Sequence, residues 1–226
     1  MKCLQQRVDR VKTKAKTIVA RILSGLKFDY LKEDDSELGK VDFGVFTVAM
    51  MVAALDGVIR PDEFKAFSRL AEECRVSRGE KAARYNSALH SAGYVLLLAR
   101  SGMSKRALSL AFLDEAECVL PMGFAGGKAE DIRRALVLWV TMGLSDGEFS
   151  GVERAAVEAF CARVADIMKK RRDCRKDRLW FGLRPVVAGA RKAKTPAEDS
   201  SGWLAAAEKA VRSGSLAEIR NFIIKG

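Results

Sequence analysis

An eight-residue pattern occurs twice in this 226-residue chain, 90 positions apart, and it limits the possible folds more than any other feature. The copies read Asp56-Gly57-Val58-Ile59-Arg60-Pro61-Asp62-Glu63 and Asp146-Gly147-Glu148-Phe149-Ser150-Gly151-Val152-Glu153. Each follows an apolar run, Phe43 to Leu55 or Ala135 to Leu144, and precedes an amphipathic one, Phe64 to Cys74 or Ala155 to Val164. An apolar helix, a tight acidic turn and a second helix, used twice, make an internal repeat. Gly57 and Gly147 stand where helices commonly end in the left-handed conformation, which glycine enters without a Cβ clash.

The acidic residues of the turns admit two explanations each. Asp56 and Asp146 fall in or beside the last helical turn, where the helix dipole disfavours an anion by up to about 1 kcal/mol. Meeting that cost in both copies implies a partner, either a backbone N–H as in an Asx-turn or a cation. Ser150 and Glu153 have the spacing of a capping box, and Pro61 suits the first position of a helix that puts Glu63 near the third. Both glutamates are therefore candidates for capping as well as for metal ligation.

Charge is the second informative feature. The net charge is +11, and it is unevenly spread. Residues 1–27 carry eight Lys/Arg against Asp9, and residues 163–194 carry twelve against Asp166, Asp173 and Asp177, which leaves a mildly acidic remainder. Two basic segments on an acidic body can meet nucleic acid, anionic lipid or an acidic partner. The longest apolar run, Phe43 to Leu55, is too short to span a bilayer. The charged residues near the N-terminus leave no continuous apolar region for a signal peptide. Five cysteines without a Cys-x-x-Cys pair read as reduced thiols in the cytoplasm, Cys74 and Cys161 mostly buried. His90 is the one histidine, which argues against a His-based zinc site or a Ser-His-Asp triad.

Taken in order, residues 1–27 read as a basic helix with a narrow seam of Leu4, Val8, Val11, Ala15, Ile18 and Ile22. That seam could dock on the body, form a short coiled coil, or lie on an anionic membrane surface. Residues 28–40 read as an acidic linker, and 41–168 as the helical body. Within the body, Phe64, Phe67, Leu70 and Ala71 form a core stripe, and the run Tyr94 to Leu98 is apolar all round and expected to be buried. Ser104 is placed to cap a helix through Val119, whose Asp114, Glu115 and Glu117 read as a solvated face. No segment alternates with period two, so no sheet is expected.

From Lys169 the character changes. Lys169, Lys170, Arg171, Arg172, Arg175, Lys176 and Arg178 lead into Trp180 and Phe181, within a basic arm and linker over 169–202. Such a segment could stack on single-stranded nucleic acid, wedge into a lipid interface, or tuck its aromatics on the body. Residues 203–226 read as a helical pair broken at Ser213-Gly214-Ser215, too small for a core of its own.

The paired Asp-Gly-x-[Ile/Phe]-x-x-x-Glu turns at helix junctions resemble those of the TerB (tellurite-resistance) family, over about residues 40–168. The resemblance implies an all-α bundle of about seven helices whose two acidic turns approach each other. It also implies divalent cation binding, Ca²⁺ or Mg²⁺, in bacterial stress-response or membrane-linked assemblies, with Asp56, Glu63, Asp146 and Glu153 as the acidic positions. The basic arm and the helical pair lie outside the resemblance, and no His-Pro-Asp supports a J-domain activity. Four carboxylates suit a hard cation, but one turn alone lacks the needed ligands, since Val58, Ile59 and Pro61 stand at ligand positions. The alternative is that the turns pack as capped helix junctions, their repulsion relieved by Arg60 or another basic residue. The leading expectation is a non-enzymatic cytoplasmic scaffold with a protein partner, peripheral on the inner membrane face through its basic segments. The second is a nucleic-acid-binding protein using residues 163–194. A metal-dependent hydrolase lacks an evident base or nucleophile.

Overall fold

The structure, a computed structural model, describes residues 14, 16–28, 37–72, 78–120, 129–170, 183–184, 186–188 and 202–225. Its helices are α1 (residues 16–25), α2 (Phe43–Ala53), α3 (Pro61–Glu72), α4 (Arg78–Arg100), α5 (Lys105–Val119), α6 (Ala129–Gly143) and α7 (Gly151–Lys170). They continue with α8 (described at 183–184 and 186–188), α9 (Trp203–Ser213) and α10 (Leu216–Lys225). The fold is all-α. One two-residue parallel pairing, β1 (Lys27–Phe28) with β2 (Lys40–Val41), departs from the expectation of no sheet. It is too short to leave a period-two signal. Leu38 fixes it, donating its N–H to Gly25 O at 2.9 Å and accepting from Arg134 Nε at 2.8 Å.

The first helices of the two repeats form the centre. Every residue of α2 from Gly44 to Ala53 is buried, and so is α6 from Ala135 to Gly143, which explains why both runs read as nearly pure apolar sequence. They pack on each other, with α4 covering α2 and α9 covering α6. Trp139 closes this interface: its ring meets Phe160 of α7 edge-on at 4.7 Å, and its indole N–H donates to Val45 O at 2.8 Å. A buried indole needs such an acceptor.

The basic N-terminal helix docks on the body along its described part. Val19, Ile22, Leu23 and Leu26 are buried, a wider face than the predicted seam, and Lys16 pairs with Asp62 of α3 at 2.9 Å. Leu4, Val8, Val11 and Ala15 lie outside the described residues. The C-terminal pair also docks on the body. Trp203, Leu204, Ala207 and Val211 of α9 and Ile219, Phe222 and Ile223 of α10 are buried. Arg133 of α6 stacks on Trp203 at 5.6 Å and donates to the carbonyls of Ile223 (2.8 Å) and Ile224 (3.2 Å). It thereby satisfies two carbonyls that the end of α10 leaves without helical partners.

Two apolar expectations are corrected. Phe64 is exposed; the side chains of Phe67, Leu70 and Ala71 lie outside what is described. In the run Tyr94 to Leu98 only Val95 is fully buried, while Tyr94 and Leu97 face outward. The run sits on a helix covered on one side only. Among the described residues no helix is long and apolar enough to cross a membrane.

Candidate functional site: the paired acidic turns

Each turn is built by the same local bonds. The N–H of Val58 donates to Asp56 Oδ1 at 2.8 Å, and that of Glu148 donates to Asp146 Oδ1 at 3.0 Å, so both aspartates close Asx-turns. Gly57 and Gly147 have φ of 86° and 106°, and their N–H groups donate to Ala54 O and Leu144 O, which ends the apolar helices. Arg100 of α4 holds the first turn further by donating Nε–H to Gly57 O at 2.8 Å.

The glutamates cap the second helices. Arg60 N donates to Glu63 Oε2 and Ser150 N to Glu153 Oε2, both at 2.6 Å. In the second copy Glu153 N donates back to Ser150 Oγ at 3.2 Å and completes the capping box. Both carboxyls are buried, at 1% and 3% exposure. Burial pushes Glu63 up to about 7, opposed by the hydrogen bond from Arg60 and assisted by the charge of Asp56. It pushes Glu153 up to about 8, opposed by its bonds from Ser150 and assisted by the charges of Glu63 and Asp56. A carboxylate moved out of water without a full counter-charge keeps its proton.

The fold brings the two turns together, and what stands between them is a side chain of the chain itself. Arg60 Nη2 pairs with Asp56 Oδ2 at 3.2 Å, while Nη1 pairs with Asp146 Oδ2 of the other repeat. The planar guanidinium can serve two carboxylates at once.

The arrangement does not fit a resident divalent cation. Asp56 and Asp146 each give one oxygen to an Asx-turn and the other to Arg60, and Glu63 and Glu153 are tied into caps. Among the described residues no group of three or more His, Cys, Asp or Glu side chains converges for a metal ion. Among the described residues, the cation that stands beside Asp56 and Asp146 is Arg60.

Three further residues matter at this junction. Gly143 leaves room for the second turn: a Cβ there would lie 2.6 Å from the Phe149 ring and 3.2 Å from Glu153 Oε1. Its counterpart 90 positions earlier is Ala53, opposite the smaller Ile59. Ser145 is 2% exposed, and its hydroxyl has no hydrogen-bond partner among the described residues; its counterpart is Leu55. Arg154, one residue beyond Glu153, pairs with Glu208 at 2.6 Å and fastens α9 to α7. Laying one copy over the other reveals the Gly143–Phe149 exchange and Ser145, whereas nothing in the pattern announces Arg154.

The other predicted partner residues are mostly beyond the description. Lys169 is exposed at the end of α7, and the side chain of Lys170 is not described. Arg171, Arg172, Arg175, Lys176, Arg178, Trp180 and Phe181 lie outside the described residues. Cys161 is buried, and burial first of all pushes its thiol up to about 12, whereas Cys118 is exposed. No protein-family model, no curated protein and no solved structure matches this chain.

Proposed function

We propose that this protein is a non-enzymatic, TerB-like helical scaffold whose repeats are joined through an internal ion bridge in place of a bound Ca²⁺ or Mg²⁺. The observation that carries the reading is Arg60, which pairs with Asp56 of its own turn and Asp146 of the other. The acceptors of the site are engaged by Arg60 and by the backbone N–H groups of the two turns, which supports reading it as a structural link. A stress-response role and attachment to an anionic membrane face belong to this proposal through the family likeness and the basic segments. Single-stranded nucleic acid is the alternative ligand, for the basic segment 163–194 with Trp180 and Phe181. Salt-dependent binding to anionic vesicles against single strands separates the two.

The test is calorimetric titration of the full chain with Ca²⁺ and with Mg²⁺, with thermal melts in parallel. Wild type is expected to give neither saturable heat nor a shift in Tm at millimolar cation. Arg60→Gln is expected to melt lower, by an amount equivalent to about 1 kcal/mol for a half-exposed bridge. Saturable binding in wild type that disappears in Asp56→Asn/Asp146→Asn would replace the internal bridge with a metal-loaded site.

A further inference from the structure

The outward face of the α4–α5 hairpin combines features that the junction does not use. A cleft of about 570 Å³ runs between the two helices, with Tyr94 and His90 on the α4 side and Ala111, Asp114, Glu115 and Glu117 on the α5 side. Beyond it towards the hairpin turn stand Leu97, 69% exposed, Leu110, 54% exposed, and Met103, 38% exposed. Scattered single apolar residues are ordinary on a surface. Here they follow helical spacing. His90, Tyr94 and Leu97 stand at i, i+4 and i+7 on α4, and Leu110, Asp114 and Glu117 stand at i, i+4 and i+7 on α5. The two stripes share the outward side of the hairpin, apolar near the turn and acidic towards the open end, where the cleft lies.

The charge of this groove runs against that of the chain. The whole carries +11, yet no Lys or Arg lines the cleft among the described residues. Glu117 is met by Arg163 at 3.3 Å, and Glu115 accepts from the Ser91 hydroxyl at 2.7 Å. Neither Asp114 nor Glu115 has an ion-pair partner among the described residues. Two unmatched carboxylates repel the phosphates of lipid or nucleic acid and attract a cationic partner.

We infer that the α4–α5 groove docks a basic amphipathic helix of a protein partner, its apolar side on Tyr94, Leu97 and Leu110 and its Lys/Arg end on Asp114 and Glu115. A helix is the fitting shape because the groove walls are helices with their backbone groups already bonded internally. An extended peptide would find no free edge to join. The surface lies apart from the Arg60 bridge, and the inference holds whether or not that bridge is the junction's cation.

The probe is a fluorescein-labelled helical peptide of about sixteen residues, with Leu at i, i+3, i+4 and i+7 and Lys at one end, against the same peptide with Glu for Lys. Fluorescence anisotropy with the full chain should show saturable binding of the Lys peptide, at least about tenfold tighter than the Glu peptide and weakening with salt. Leu97→Glu should weaken it by about tenfold or more, and Asp114→Lys should erase the preference for Lys over Glu. Both residues are exposed, so unchanged melting curves for the variants would show that folding is not the cause. Absence of saturable binding, or binding of equal strength in wild type and both variants, would overturn the inference.

Discussion

The two turns share their aspartate, glycine and glutamate, and differ in the residue that begins the following helix. The second copy has Ser150 there, whose hydroxyl completes the cap of α7 within its own turn. The first has Arg60, which gives up a side-chain cap and sends its guanidinium across to Asp146. The helices that follow also differ among the described side chains: α7 is built into the core through Phe160 and Val164, whereas Phe64 at the start of α3 is exposed. One copy is spent on local order and the other on joining the halves. A repeat need not be used symmetrically even where its signature residues are identical.

The largest effect that would sharpen the contrast is the pH dependence of the two buried glutamates. Their folded-state values, about 7 for Glu63 and about 8 for Glu153, lie above the ordinary 4.5, so between these limits the folded chain holds more protons than the unfolded one. Stability from these groups is therefore complete below about pH 4.5 and falls as pH rises above it, by on the order of a few kcal/mol in all; the Glu63 share of the loss is complete near pH 7 and the Glu153 share near pH 8. Glu63→Gln should halve the slope between about pH 4.5 and 7, Glu153→Gln should halve it there and abolish what remains between 7 and 8, and the double variant should flatten the profile relative to wild type. Urea melts from pH 5 to 9 check this; parallel profiles for wild type and double variant would mean that both carboxyls titrate normally.

Next comes the packing exchange between the copies. Gly143→Ala places a methyl group against the Phe149 ring and should cost about 1–3 kcal/mol despite alanine's better helix propensity. Adding Phe149→Ile reproduces the Ala53–Ile59 pairing of the first copy and should restore most of the loss. A double-mutant cycle reads the coupling, and simple additivity would show that the two positions do not compete for the same space.

The smallest expected change is a gain. Ser145→Ala removes a buried hydroxyl without a partner, at a position where the first copy has Leu55, and should stabilise by roughly 1 kcal/mol. A destabilised variant would mean that the hydroxyl is bonded after all.

Much of this was legible in the sequence because the signals are local. The Asp-Gly turns, the capping glutamates, the Ser104 cap and the break at Gly214 each depend on residues within four positions of one another, and each forms as read. Arg60 was a candidate because a basic residue inside an acidic turn has obvious work to do. What could not be read depends on which side of a helix is covered. Apolar runs on α3 and α4 carry the same letters as those on α2 and α6, yet Phe64, Tyr94 and Leu97 meet solvent. Long-range polar ties such as Arg133 to the end of α10 and Leu38 to Arg134 leave no periodic trace. Most of the basic arm lies outside the described residues, while Leu183, Val186 and Val187 within it are buried on the body.

The counter-ion of the acidic junction is covalently attached. A diffusible ion would be present in proportion to its supply and would depart with a dissociation rate, whereas a guanidinium on Arg60 sits beside Asp146 at an effective concentration set by the chain alone. Under the proposed reading a chelator is expected to leave the melting temperature unchanged, and swings in divalent ion levels are expected to leave the joint between the repeats as it is. Such a joint suits the constitutive scaffold proposed above.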